Sequence, residues 1–141
     1  YCKQVTDETM RCSVAAPWAG RYADHDLQIG EHIIPKNTPI ITAIGVVHKD
    51  EKIWPDPDKF DPERFSDKEV KNRHPMAFQP FGFAGKRKCP GYRFSNAEIA
   101  VVLSVLLRRF KIHLVDGQVV EPEYTLVTQP KEEIWITVTK R

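Results

Sequence analysis

Apolar and polar positions divide this chain into short pieces of changing period. Residues 5–16 contain a helix-like segment, Thr6-Asp7-Glu8-Thr9-Met10-Arg11, stopped by Pro17, which cannot continue a helix. Over residues 24–34 the pattern becomes that of a hairpin. Leu27 and Ile29 share one face of a strand, Gly30 makes the turn, and His32-Ile33-Ile34 begins the return. A second turn, Pro35-Lys36-Asn37-Thr38-Pro39, leads into Ile40-Ile41-Thr42, so small β pieces are expected over 22–42.

Residues 49–77 have a different texture. Trp54-Pro55-Asp56-Pro57-Asp58-Lys59-Phe60-Asp61-Pro62-Glu63-Arg64-Phe65 holds three prolines and three aromatics, too proline-rich for long regular elements and too aromatic for a disordered linker. The expectation is an irregular meander pinned to a core by Trp54, Phe60 and Phe65. Residues 78–91 form a Gly-rich loop, and a long helix is expected over 92–110. Its apolar run over 99–107, broken by Ser104 and flanked by Glu98, Arg108 and Arg109, reads as a buried helix. The tail, 111–141, is β-like: Lys111-Ile112-His113-Leu114-Val115, a turn at Asp116-Gly117, then Gln118-Val119-Val120, closing with Ile134-Trp135-Ile136-Thr137-Val138. The fold class expected is mainly α with small antiparallel β pieces.

Composition narrows the classes. A chain of 141 residues with 41% hydrophobic and 28% charged residues is an ordinary globular one, and a formal net charge of +2 is too small to argue for nucleic acid. No run of about 18 apolar residues exists, so nothing here is expected to span a bilayer. Cys2, Cys12 and Cys89 include no Cys-x-x-Cys pair, which supports neither a disulfide framework nor a zinc site and fits a reducing environment. His25, His32, His48, His74 and His113 show no ligand spacing. Tyr1-Cys2-Lys3-Gln4 carries no initiator Met or signal-peptide pattern and reads as the middle of a longer sequence.

The chemistry concentrates in Phe81-Gly82-Phe83-Ala84-Gly85-Lys86-Arg87-Lys88-Cys89-Pro90-Gly91. A thiol ligates metal as the thiolate, and free cysteine titrates at about 8.5, so the anion must be stabilised. Cys89 stands just before the long helix, whose free N–H groups and dipole favour negative charge. Gly85 and Gly91 allow tight turning and close approach to a flat ligand. Arg87 offers a guanidinium fork suited to a carboxylate, and Pro90 suits a first helical turn. On these residues alone, a structural cysteine and a phosphate cradle formed by Lys86, Arg87 and Lys88 stay open, although no Gly-Lys-Ser/Thr completes a Walker loop.

Three motifs in order close that gap, and with them the chain resembles the cytochrome P-450 superfamily along nearly its whole length. Glu8-Thr9-Met10-Arg11 matches the family's Glu-x-x-Arg helix. Pro62-Glu63-Arg64-Phe65, preceded by Trp54-x-Asp56-Pro57, matches its meander, and Gly85-Lys86-Arg87-Lys88-Cys89-Pro90-Gly91 matches its haem loop. One position departs: the family's loop Phe falls on Gly82, with Phe81 and Phe83 on either side. A one-residue expansion, with Phe81 in the Phe role, accounts for it. In this feature the chain is similar to the animal family numbered twenty.

The resemblance implies the C-terminal portion of the P-450 fold and a haem b (iron protoporphyrin IX) cofactor. Cys89 would be the axial iron ligand, its electron donation favouring O–O cleavage. Arg87 and Arg21 would reach haem propionates, and Gly85 and Gly91 would shape the loop; a surface role for Arg21 fits equally. Glu8, Arg11 and Arg64 would form a buried ion network. Residues 14–18 and 126–128 would line part of a pocket for a small apolar organic substrate. Lys86, Lys88, Arg93, Arg108 and Arg109 would face an NADPH-dependent reductase, or else form a solvated helix face. The implied function is haem-thiolate monooxygenation, with no catalytic residue in this segment beyond the iron ligand. The oxygen-activating residues and a membrane anchor would lie upstream, and the family's habit favours the cytosolic face of the endoplasmic reticulum membrane, with the mitochondrion as the alternative. A haem-thiolate isomerase or dehydratase, or a non-catalytic haem-binding or interaction product, are the rival readings. Taken alone, the segment is expected to fold poorly and bind haem weakly.

Overall fold

The computed structural model describes residues 1–83 and 85–141. Helix α1 spans Cys2–Ser13, earlier at both ends than the 5–16 expected from the pattern. The reason is its buried face. Thr6, Asp7, Glu8 and Arg11 point inward, so apolar periodicity does not mark where the helix lies. The hydroxyls of Thr6, Thr9 and Ser13 donate to the carbonyls four residues back, at 3.0, 2.8 and 2.8 Å, which spares these polar side chains other partners. The helix stops at Val14, whose left-handed backbone (φ 41°) caps the carbonyl of Met10.

Four two-stranded antiparallel pieces follow one another. Strand β1 (Trp18–Arg21) pairs with β4 (Ile40–Ala43), so the β region starts before residue 22. Between them β2 (Leu27–Ile29) and β3 (His32–Ile34) make the hairpin, turned at Gly30 with φ 58°. The short helix α2 (Ile44–Val47) carries the chain into the meander.

The meander is built from short turns of helix. Asp61 caps Pro62–Phe65 by accepting from the Glu63 N–H at 3.1 Å, and Pro62 takes the first helical turn without losing a donor. Helix α3 (Asp67–Asn72) and a single 3₁₀ turn at Pro75–Ala77 complete it. Trp54 and Phe65 are buried and meet Phe78 edge-on at 6.3 and 4.7 Å. Phe60 does not join them, contrary to expectation, and is 51% exposed. Its neighbours explain this: the Lys59 carbonyl and the Asp61 N–H both face the Glu8–Arg11 pair, leaving the side chain between them outside.

Helix α4 spans Tyr92–Arg109, and Phe110 opens strand β5 (Phe110–Leu114) rather than ending the helix. No residue of α4 is buried; Val101 is 61% exposed and Val105 47%. The expectation of a buried helix therefore fails within this chain. Strand β5 pairs with the C-terminal β8 (Ile136–Lys140), and not with Gln118-Val119-Val120. Gln118 takes part through its side chain, whose amide bonds both backbone groups of Trp135, at 3.1 and 2.7 Å. The small hairpin β6 (Pro122–Tyr124) and β7 (Thr128–Pro130) lies between.

Candidate functional site: a cysteine loop anchored to a buried ion network

Glu8 and Arg11, one turn apart on α1, both have fully buried side chains. Arg11 donates Nε to Glu8 at 2.7 Å and Nη2 at 2.9 Å, a two-point pair with matched geometry. It also donates Nη1 to the His48 carbonyl at 3.0 Å and Nη2 to the Lys59 carbonyl at 3.3 Å. Glu8 accepts in addition from the Asp61 N–H at 2.8 Å. Burial pulls the Arg11 guanidinium toward the neutral form, yet the Glu8 bond and neighbouring negative charge outweigh it and hold it more firmly charged. Arg64 lies 3.6 Å from Glu8, joining by charge rather than by hydrogen bond, and donates to the Asp56 carbonyl at 2.8 Å. Arg73 lies over the Trp54 ring at 4.0 Å, closing the aromatic side of the cluster.

A histidine connects this network to the loop. His48 is fully buried, stacked on Phe78 at 5.3 Å, and its Nε2 accepts the Gln79 N–H at 3.2 Å. Burial and the nearby Arg11 charge push its pKa down to about 4. The Gln79 carbonyl in turn accepts the Gly82 N–H at 3.0 Å, with Gly82 at φ 81° closing the turn. The Cys89 N–H then donates to the Phe81 carbonyl at 3.0 Å, which ties the two arms of the loop together. The Phe81 ring lies 6.2 Å from Tyr92.

Cys89 is a free, exposed thiol immediately ahead of α4. Gly85 has φ 94°, and a Cβ at Gly91 would sit 3.9 Å from the Cys89 sulfur. Lys86, Arg87 and Lys88 are exposed, and none of them makes an ion pair among the described residues. Lys88 and Arg93 both lie over the Tyr92 ring, at 4.4 and 5.6 Å, and Arg93 donates to the Tyr92 hydroxyl at 2.9 Å. Arg108 and Arg109 close the far end of the same helix. Arg21 stands elsewhere, at the end of β1, exposed and bonded to its neighbour's carbonyl. Residues 14–18 and 126–128 do meet: Thr128 donates its N–H to the Ala15 carbonyl at 2.9 Å and its hydroxyl to the Val14 carbonyl at 2.8 Å.

Residues 1–138 match the cytochrome P450 family. The chain belongs to that family. It is 48% identical over 141 residues to cytochrome P450 20A1 of Bos taurus and 43% identical to that of Homo sapiens, in each case over 100% of this chain and 30% of the relative. Probable cytochrome P450 6a14 of Drosophila melanogaster is 45% identical over 113 residues, 79% of this chain and 22% of the relative. The crystallised cytochrome P450DA heme domain superimposes with a TM-score of 0.88 at 26% identity, over 99% of this chain and 31% of that one. The chain thus spans about 30% of the length of the curated P450 relatives it matches.

Haem is the cofactor of the P450 family. The residues present fit it. Iron in a porphyrin needs one protein donor on its proximal side, and Cys89 offers an accessible sulfur at a helix start. Glycines leave the loop surface open: a Cβ at Gly82 or Gly85 would meet nothing within 4 Å. Among the described residues no group of three His, Cys, Asp or Glu could hold a bare metal ion, and no helix is long and apolar enough to cross a membrane.

His48, Phe78, Gln79 and Arg73 escaped the sequence reading. His48 was among five histidines without ligand spacing, and a lone histidine gives no spacing to interpret.

Proposed function

We propose that this chain is the proximal haem-binding part of a haem-thiolate monooxygenase acting on a small apolar organic substrate. The observation that carries it is the free Cys89 thiol at the start of α4, on a loop closed by the Cys89–Phe81 hydrogen bond. Cys89 would hold the iron as thiolate, its charge stabilised by the free N–H groups and dipole of an 18-residue helix. Arg87 and Arg21 would hold the propionates through their guanidinium groups. Gly85 and Gly91 keep side chains away from the ring face. The uncharged segments at 14–18 and 126–128, joined through Thr128, contribute to the substrate side. Haem, when bound, supplies reductive activation of O₂ and oxygen insertion, and the protein positions and tunes it.

Lys86, Lys88, Arg93, Arg108 and Arg109 form the face that receives an NADPH-dependent reductase. Tyr92 gathers Lys88 and Arg93 on one ring, which concentrates positive charge beside Cys89 and would steer an acidic partner. The working place is the cytosolic face of the endoplasmic reticulum, a reading that rests on family resemblance.

The test is the absorption spectrum of the reduced, carbon-monoxide-bound full-length protein beside its Cys89→Ser variant. A strongly red-shifted Soret band, lost in the variant, is expected. The same ordinary band in both proteins would remove Cys89 from the iron.

A further inference from the structure

The Glu8–Arg11 pair and the Cys89 loop lie far apart in sequence, and one side chain bridges them. His48 offers its backbone carbonyl to Arg11 Nη1 at 3.0 Å and its imidazole Nε2 to the Gln79 N–H at 3.2 Å. From Gln79 the contacts run on to Cys89: Gly82 N–H to the Gln79 carbonyl, and Cys89 N–H to the Phe81 carbonyl, both at 3.0 Å. The links are directional hydrogen bonds joined by the Phe81–Gly82 peptide, so a displacement of the imidazole is passed to the backbone that carries the sulfur.

The chemistry of the ring singles out the acceptor. An N–H can be received only by an unprotonated nitrogen, so Nε2 carries the lone pair and Nδ1 the proton. That Nδ1–H is buried and has no partner among the described residues. A buried donor left unpaired is a net cost, and a phenylalanine stacked on Phe78 would avoid it. What histidine adds is the Nε2 acceptor. With the pKa down at about 4, the ring is neutral and able to accept over the physiological range.

We propose that His48 is a positioning residue for the proximal loop: its Nε2 holds the Gln79 amide, and through it the Phe81–Cys89 pairing that places the sulfur. This rests on the reading of Cys89 as the iron ligand.

Two variants separate this role from packing. His48→Phe keeps an aromatic ring against Phe78 and removes the acceptor. His48→Gln removes the ring and keeps an oxygen near the place of Nε2. Both are compared with the wild type as full-length holoprotein, by the red-shifted share of the reduced carbon-monoxide band at equal haem content, and by hydrogen exchange of peptides covering residues 79–92. The expected result is that His48→Gln retains the band and the protection. His48→Phe loses at least half of the red-shifted band, and exchange in 79–92 quickens by about tenfold, while peptides of α1 change little. Failure of His48→Phe to accumulate, with a normal His48→Gln, supports the same role. A normal His48→Phe, or a His48→Gln that loses the band or does not accumulate, overturns it. If wild type itself lacks the red-shifted band, the reading of Cys89 has failed, and hydrogen exchange alone decides whether His48 orders the loop.

Discussion

Residues 1–77 and 78–141 are built on opposite principles. Among the described residues, every buried one lies in the first stretch, and five of the eleven are polar or charged: Thr6, Asp7, Glu8, Arg11 and His48 beside Val14, Pro17, Ile44, Trp54, Phe65 and Ala77. The second stretch holds the longest apolar run of the chain, over 99–107, and buries none of it. Its surface reflects this. The chain exposes 11074 Å², whereas a compact protein of 16.2 kDa would expose roughly 7,500 Å² by size scaling. The first region pairs most of its buried polar groups internally, His48 Nδ1 and Arg64 Nε excepted, and can serve as a fixed base. The second carries most of the exposed large apolar side chains, Val101, Leu126 and Trp135 among them. Stability and chemistry are thus divided along the chain, and the Cys89 loop sits at the seam.

The comparison can be broken most sharply at its polar core. Glu8→Ala leaves Arg11 buried and unpaired, which should cost the full-length protein roughly 3–5 kcal/mol in urea unfolding. A loss below about 1 kcal/mol would mean that water reaches the guanidinium and that the network is not a sealed core.

A pH effect comes next. The folded His48 imidazole is held at about 4 against an ordinary 6.5, so the neutral form is the one that folds. Above 6.5 both states are neutral and the full stability is present. As pH falls from 6.5 to 4 the unfolded chain takes up a proton that the folded one refuses, and stability falls by on the order of 3 kcal/mol. His48→Gln should flatten this window, and an unchanged pH profile would show that other groups set it.

Smaller is the effect at the seam. Gly82 has φ 81° and open space where a methyl group would be added, so Gly82→Ala costs backbone strain alone, about 1–2 kcal/mol. Faster hydrogen exchange confined to residues 79–92 should report it. The smallest effect is expected on α4. Val101→Ser with Val105→Ser should shift the melting of the 141-residue chain, broad as it is expected to be, by no more than about 0.5 kcal/mol in equivalent stability. A large loss there would show that α4 is buried within this chain after all.

Parts of the site were legible because they are local. Cys89 ahead of a helix, the glycines around it and the cationic run at 86–88 are read directly from neighbours in the chain. The backbone bond from Cys89 to the Phe81 carbonyl was not legible, since it joins the two arms of the loop across eight residues. His48 was invisible, since its function depends on Gln79, 31 residues away. Arg21 illustrates the reverse, a family match at a position the fold leaves exposed at a strand end.

What the sequence by itself determined were the features governed by stereochemistry within a few residues. Pro62 opened a helical turn, Gly30 turned a hairpin, and the loop-to-helix step placed a thiol at a helix start. Tertiary structure alone decided which polar groups are sealed from water and which strands pair. Arg11 meets the His48 backbone across 37 residues, and Thr128 meets Val14 across 114. The physical reason is that burial and strand partnership are properties of contacts between distant segments. A polar residue that ends in the core carries the same local pattern as one on the surface.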